Sequence, residues 1–441
     1  MLIKNTIRLL TFAVFFPAAG WAQTAMPQPL GAEVPPLTTG SEQAAKNVLE
    51  LRLRVAGTFD DNALADNRNR HSDTEFDFQP TIDFRQELER MKWNMFYAPG
   101  FSANQHYSAR RYFSQTAGSA FSYQLLKHLA LNLHGKASLT TNPFDQLDRN
   151  ASTPQSNLLD RPNTTVVLPK YKQIGADGGI GLDWFTSPFT TINLSGDISD
   201  LRYRSLPSQS FSQRRLIDTR IVHGHGGVLH RWTARQTVGA LYDYQDLAFP
   251  LAHSRTVSHS VMGFDEFAIK PNMKLTLFGG PQYSRLHDIV EVNFLFFILR
   301  LPTFRTMWSP TAGAEFSWQG KLDALRASYV RKITDGGGLI SAVTLSHGDA
   351  SFRRRLTNRW TFTLGGYYAT SDALGAEGSS GLKSYAATGG FERAITPNLF
   401  ADIGYSRLHQ NRSGSLVGVT RDDHNRVMVS LQYRWDHPVG R

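Results

Sequence analysis

Arg426-Val427-Met428-Val429-Ser430-Leu431-Gln432-Tyr433-Arg434-Trp435 changes character at every residue. Side chains on an extended strand alternate between its faces, so Val427, Val429, Leu431, Tyr433 and Trp435 share one side. Arg426, Met428, Ser430, Gln432 and Arg434 share the other. Working back, Leu399, Ala401, Ile403 and Tyr405 alternate with Phe400, Asp402, Gly404 and Ser406, after a break at Ala394-Ile395-Thr396-Pro397-Asn398. Trp360, Phe362, Leu364, Gly366 and Tyr368 alternate in the same way with Thr361, Thr363, Gly365 and Tyr367. The segment is a sheet with one apolar face ending in aromatics and one polar, charged face. That is the pattern of an all-β protein with lipid on one side and water on the other, a transmembrane antiparallel β-barrel.

The alternation runs upstream almost without interruption. Leu49, Leu51, Leu53 and Val55 oppose Glu50, Arg52 and Arg54; Phe76, Phe78, Pro80, Ile82 and Phe84 oppose Asp77, Gln79, Thr81, Asp83 and Arg85. Ile180, Leu182 and Trp184 oppose Asp177, Gly179 and Asp183, and Ile192, Leu194 and Ile198 oppose Asn193, Ser195 and Asp197. One such segment is weak evidence, whereas repetition along the chain is strong evidence.

The connections fall into two classes. Tight turns are expected at Gln86–Arg90, Lys127-His128, Thr186–Pro188, Thr233–Arg235, Lys270–Asn272, Gln319–Lys321, Thr357–Arg359 and Thr396–Asn398. Between them lie longer polar loops around 60–74, 102–111, 140–171, 204–214, 247–254, 287–305, 371–382 and 411–424, with a short one at Asp335–Gly338. Short periplasmic turns and long external loops are the habit of bacterial barrels, which have an even strand number. The count is about eighteen strands, or sixteen if one hairpin is miscounted. Loop 140–171 is the candidate to fold inward as a constriction. Val290–Leu301 is unexpectedly apolar for a loop. It is read either as a loop lying on the membrane or on a partner, or as extended strand wall.

Mean hydropathy is −0.32, as expected when only half of each strand meets lipid. Past the N-terminus no run approaches the roughly twenty apolar residues of a spanning helix. Lys4 and Arg8, the apolar core Leu9–Ala19 and Gly20-Trp21-Ala22 read as a signal peptide over 1–22. Residues 23–46, rich in Pro, Ala, Thr and Gly, read as a flexible periplasmic tail before a barrel over 47–436 and a C-terminal tail over 437–441. The absence of cysteine removes disulfides and thiolate metal sites. The net charge of +10 points to anionic partners, and the scatter of its basic residues argues against nucleic acid.

The signal peptide, the hairpin alternation and the last strand resemble the outer-membrane β-barrel superfamily of Gram-negative bacteria. In that resemblance Tyr433 and Trp435 take the aromatic positions of the assembly signal. It implies the barrel-assembly machinery, outer-membrane lipid and lipopolysaccharide as partners. The sequence departs from the signal at Ser430, where glycine is usual, and in the residues that trail Trp435. The phrases Arg355–Trp360 and Ile395–Leu399 resemble barrels linked to exopolysaccharide export.

A porin-like channel for anionic solutes is the expected function. The alternatives are a conduit for an anionic polysaccharide and a closed structural or adhesive barrel. Arg52, Arg54, Arg85, Lys136, Arg326, Arg426 and Arg434 fall on polar faces, where guanidinium and ammonium groups would favour anions in a low-dielectric wall. The bland reading pairs them with carboxylates such as Asp83, Asp177, Glu315 and Asp402. Arg353, Arg354 and Arg355 precede a tight turn and are expected at the periplasmic rim, gathering an anionic polymer or only fixing the strand's depth. Arg110, Arg111, Arg214, Arg215, Arg412 and Arg421 are candidate partners of lipopolysaccharide phosphates. His223 and His225 share a face at metal-ligand spacing, but no third ligand is fixed nearby, so no metal, cofactor or catalytic residue is assigned.

Overall fold

The computed structural model describes residues 47–64, 67, 69–106, 111–140, 171–205, 216–294, 297–374, 381–413 and 420–439. The expected signal peptide, the periplasmic tail, most of loop 140–171, and Arg110, Arg214 and Arg215 lie outside them. The strands are β1 Asn47–Asp60, β2 Asp73–Glu87, β3 Met91–Asn104, β4 Arg111–Leu126, β5 Leu129–Thr140 and β6 Tyr171–Ser187. Then come β7 Thr190–Ser205, β8 Thr219–Arg231, β9 Gln236–Phe249, β10 Ser254–Lys270, β11 Met273–Phe294 and β12 Phe297–Gln319. The last six are β13 Asp323–Gly336, β14 Ile340–Arg355, β15 Trp360–Ala373, β16 Gly381–Ala394, β17 Leu399–Ser413 and β18 Thr420–Pro438.

Each strand pairs antiparallel with its neighbours in sequence, and β1 also pairs β18 from Val48↔Pro438 to Asp60↔Arg426. The sheet is therefore an eighteen-stranded closed barrel. Closure leaves no edge in the hydrocarbon layer, where an unpaired backbone group would be costly. Register keeps the two faces consistent around the wall. Leu53 lies between Tyr433 and Pro80, and Leu51 between Trp435 and Ile82, all on the outside. Glu50 lies between Asp436 and Asp83 on the inside.

The outward apolar band has clear limits. On β18 it runs from Trp435 to Val427, each of its apolar residues at least 40% exposed, and then gives way to Asn425 and Asp423. Eight residues at ~3.3 Å each cover about 26 Å along the strand, close to the apolar height of such barrels once tilt is allowed for. On β17 the same limit falls between Tyr405 and Arg407, which faces Asn425.

All eight expected tight turns lie within a residue or two of the observed strand ends. Together with the chain ends they mark the periplasmic side. The expected loop 287–305 is corrected: β11 and β12 stay paired through it, from Asp288↔Thr303 to Phe294↔Phe297. Val290–Phe294 and Phe297–Leu301 are therefore strand, the second of the two readings of that apolar stretch. Above the apolar band an outward residue no longer has to be apolar, so Arg285 and His287 interrupt the pattern while the ladder continues. The ladder likewise extends past the expected ends at Asn411–Ser413 and Thr420–His424, and at the other end includes His437 and Pro438.

Candidate functional site

The inner wall has three parts. Near the periplasmic end Arg434, Arg52 and Arg85, from three adjacent strands, converge on Glu50, which is 5% exposed. Arg52 Nε lies 3.0 Å from Glu50 and its Nη2 3.2 Å from Asp83. Arg434 Nε lies 3.3 Å from Glu50 and 3.1 Å from Asp436, while Arg85 lies 3.7 Å from Glu50 and 3.4 Å from Asp83. Three arginines are thus balanced by three carboxylates. Two rungs up, Arg54 donates to Met428 Sδ at 2.8 Å and makes no ion pair among the described residues.

The second part spans β5 to β9. His134 Nε2 lies 3.1 Å from Asp197, which is 3.8 Å from His223 Nδ1. His223 Nε2 hydrogen-bonds Asp243, whose carboxylate is 3.9 Å from His225 Nδ1. Imidazoles and carboxylates alternate along this chain. Gly179 lies between His134 and Asp197 on the ladder, and a Cβ there would stand 1.8 Å from Asp197 Oδ1. Only glycine lets the two side chains meet across β6. Asp183 is held by Asn132 at 2.6 Å and Asn193 at 2.5 Å. Lys136, exposed on the inner face, is opposite Asp177 without an ion pair.

The third part is apolar. Leu229, Leu241, Met262, Phe264, Phe278 and Val330 form a buried patch on the inner wall from β8 to β13.

The remaining candidates are dispersed. Arg326, half-buried, donates to the buried Glu315 at 3.0 Å. Arg426, 6% exposed, packs near the mouth 3.9 Å from Asp60, which also meets His424 at 3.1 Å. Strand alternation divides the arginine triplet. Arg353 faces inward 3.7 Å from Glu392, Arg354 faces outward 3.5 Å from Asp323, and Arg355 is on the inner side opposite Thr361. Tyr433 and Trp435 are on the outer wall, with Trp435 stacked on His437 at 5.4 Å. His223 and His225 do share a face, with ring centroids 6.5 Å apart. Among the described residues no group of three or more His, Cys, Asp or Glu is placed to hold a metal ion. The flanking Asp197 and Asp243 were legible as polar-face residues, but only the register Asp197↔His223 and His225↔Asp243 brings them beside the histidines.

The mouth opposite the periplasmic turns is crossed by protein. Tyr203 on β7, Leu216 before β8 and Leu382 on β16 form one buried cluster, against which Leu201 and Leu339 pack. β7 and β16 are nine strands apart whichever way round the sheet is counted. A second cluster joins Leu247 and Phe249 of β9 to Ile333 of β13 and Ala342 of β14.

An even number of antiparallel strands, a closed ladder, an apolar outer band and a charged interior now stand together. The chain is an outer-membrane-type β-barrel. No family model matches it, and no curated protein does. Among solved structures it is similar to the outer membrane protein OpdK of Pseudomonas aeruginosa, at 9% identity over 89% of this chain and 99% of that one, with a TM-score of 0.43. OccAB4 of Acinetobacter baumannii gives 10% identity over 90% and 100%, with a TM-score of 0.44. The ferric enterobactin receptor PfeA of Pseudomonas aeruginosa gives 10% identity over 89% and 81%, with a TM-score of 0.42.

Proposed function

We propose that this barrel is a channel of the Gram-negative outer membrane that passes hydrophilic solutes, with a preference for anions. The observation that carries the preference is which inner-wall charges remain uncommitted. Asp83 and Glu50 are held by arginines, Asp197 and Asp243 by histidines, Asp183 by two asparagines and Asp402 by Ser430 at 2.9 Å. Arg54 and Lys136 have no carboxylate within ion-pair distance among the described residues, and Asp177, opposite Lys136, has no ion pair either. Two uncommitted cations against one uncommitted carboxylate on a low-dielectric wall leave a net balance that favours an anion's passage.

Reversal potentials of the refolded protein in a planar bilayer under a potassium chloride gradient test the reading. Steps that favour chloride, with the preference reduced by Arg54→Ala or Lys136→Ala, are expected. Steps that favour potassium would overturn the anion preference, and a barrel silent at every voltage would overturn the channel.

A further inference from the structure

β12 is paired on one side along its whole length, from Trp318↔Met273 to Phe297↔Phe294. On its other side it meets β13 only from Gln319↔Ala324 to Ala312↔Arg331. Above Ala312 the wall is split. β13 and β14 remain paired with each other up to Gly336↔Ile340, and β14 remains on β15 up to Val343↔Ala373. The upper half of this hairpin therefore leans away from β12 as a unit, into the mouth.

Its burial says where it goes. Lys332 to Gly338 are all buried, with Ile333 1%, Thr334 2% and Asp335 1% exposed. The tip bonds elements far around the barrel: Ile217 N–H donates to the Gly338 carbonyl at 2.9 Å. Gly338 has φ +83°, and a Cβ there would stand 2.6 Å from the Tyr203 ring. The reversal is fixed from within by Asp335, which accepts from Gly337 N–H at 3.0 Å. Both apolar clusters of the mouth contain residues of this hairpin or pack against it.

The vacated seam has the properties of a resting place. On β12, residues 301–306, 308 and 310 are exposed, and above Ala312 the strand has no second strand partner among the described residues, an edge of the kind proteins normally cover. Ser309 Oγ, buried, has no hydrogen-bond partner among the described residues. Continuing the existing register upward brings Lys332 opposite Thr311, Ile333 opposite Pro310 and Thr334 opposite Ser309. The last of these is a cross-strand hydroxyl pair.

We infer that the β13–β14 hairpin is the gate of the barrel: closed when its tip seals the mouth, open when β13 zips onto the free edge of β12. This rests on the channel reading above. Closed, the hairpin's apolar side chains are covered by Leu247 and Phe249 and its tip by Tyr203; open, its β13 backbone groups would gain the β12 ladder in exchange. Two alternative partner sets for one element are what a bistable device requires.

The chain has no cysteine, so engineered pairs are unambiguous. Ser309→Cys with Thr334→Cys makes an open lock, since the two residues share no rung in the closed state; Leu216→Cys with Leu339→Cys makes a closed lock. Each is refolded, checked for heat-modifiable migration on a gel, oxidised and recorded in a planar bilayer. The open lock is expected to bridge and conduct continuously, and the closed lock to be silent until reduced. If the 309–334 bridge fails to form in a barrel that conducts, the gate is overturned and the channel stands. A bridge that forms in a barrel that never conducts overturns the channel reading instead and leaves only the rearrangement.

Discussion

Two neighbouring hairpins leave the membrane side by side and do opposite things. β11 and β12, of 22 and 23 residues, keep their ladder to the last rung and stand outside the mouth, with Phe304 and Trp308 each 70% exposed. β13 and β14, of 14 and 16 residues, bend inward and bury their tip. The inward hairpin is held by apolar partners across the lumen. Ile333 and Ala342 find Leu247 and Phe249, and three consecutive glycines, Gly336 to Gly338, allow the tight reversal beneath Tyr203.

The sharpest way to break the comparison is to place a charge on each hairpin. Ile333→Asp puts a carboxylate into the apolar seal, at a cost of roughly 3–5 kcal/mol if it stays buried. The hairpin is expected to leave the mouth, which hydrogen exchange of the amides at 332–338 would record as loss of protection. Phe304→Asp, on the exposed hairpin, is expected to stay within about 0.5 kcal/mol of the parent and leave those amides unchanged.

The fold was largely legible before the structure, because lipid outside and water inside force the period of two at every strand. Trp360–Tyr368 and Val427–Trp435 are strands with the expected faces. The turn at Thr396-Pro397-Asn398 is where its breakers put it. The pattern stopped informing where the constraint stopped. Above the apolar band nothing requires alternation, so the stretch around 287–305 reads as a loop, and its apolar part, 290–301, reads equally as loop or strand wall until the β11–β12 register decides it. The inward bend of β13–β14 was not legible at all. Asp335–Gly338 looks like any short turn, and the residues that hold it, Tyr203 and Leu247, are about a hundred positions away. Charge partners failed for the same reason: Arg52, Arg85 and Arg434 converge only through the β18–β1–β2 register.

A smaller change sharpens the comparison. Gly338→Ala forces a side chain into a left-handed backbone and against Tyr203, costing about 1–2 kcal/mol. The open population should rise about tenfold, seen as longer open times in single-channel records. Gly320→Ala, in the periplasmic turn, has its nearest neighbour at 3.4 Å and no positive φ. It is expected to leave the open times unchanged.

The smallest expected effect is that of pH on the upper ends of β17 and β18, where neither hairpin reaches. Asp423, on β18 above the apolar band, is raised by burial. Hydrogen bonds from His409 and Asn67, with the charges of His409 and Arg70, outweigh this and hold it below the ordinary carboxylate range. A depressed pKa stabilises the folded upper β17–β18 ladder above the unfolded value, near 3.8, and that contribution is lost as pH falls through the folded value. Exchange of the upper β17–β18 amides should therefore rise below about pH 4, and Asp423→Asn should remove the dependence.

Single-channel recording of the parent chain beside Ile333→Asp tests the central claim, a channel closed at its mouth by its own hairpin, most directly. The parent should show rare, brief openings and the variant long ones of the same unit conductance. Equal open times in the two, or silence in both with the barrels shown to be folded, would contradict it.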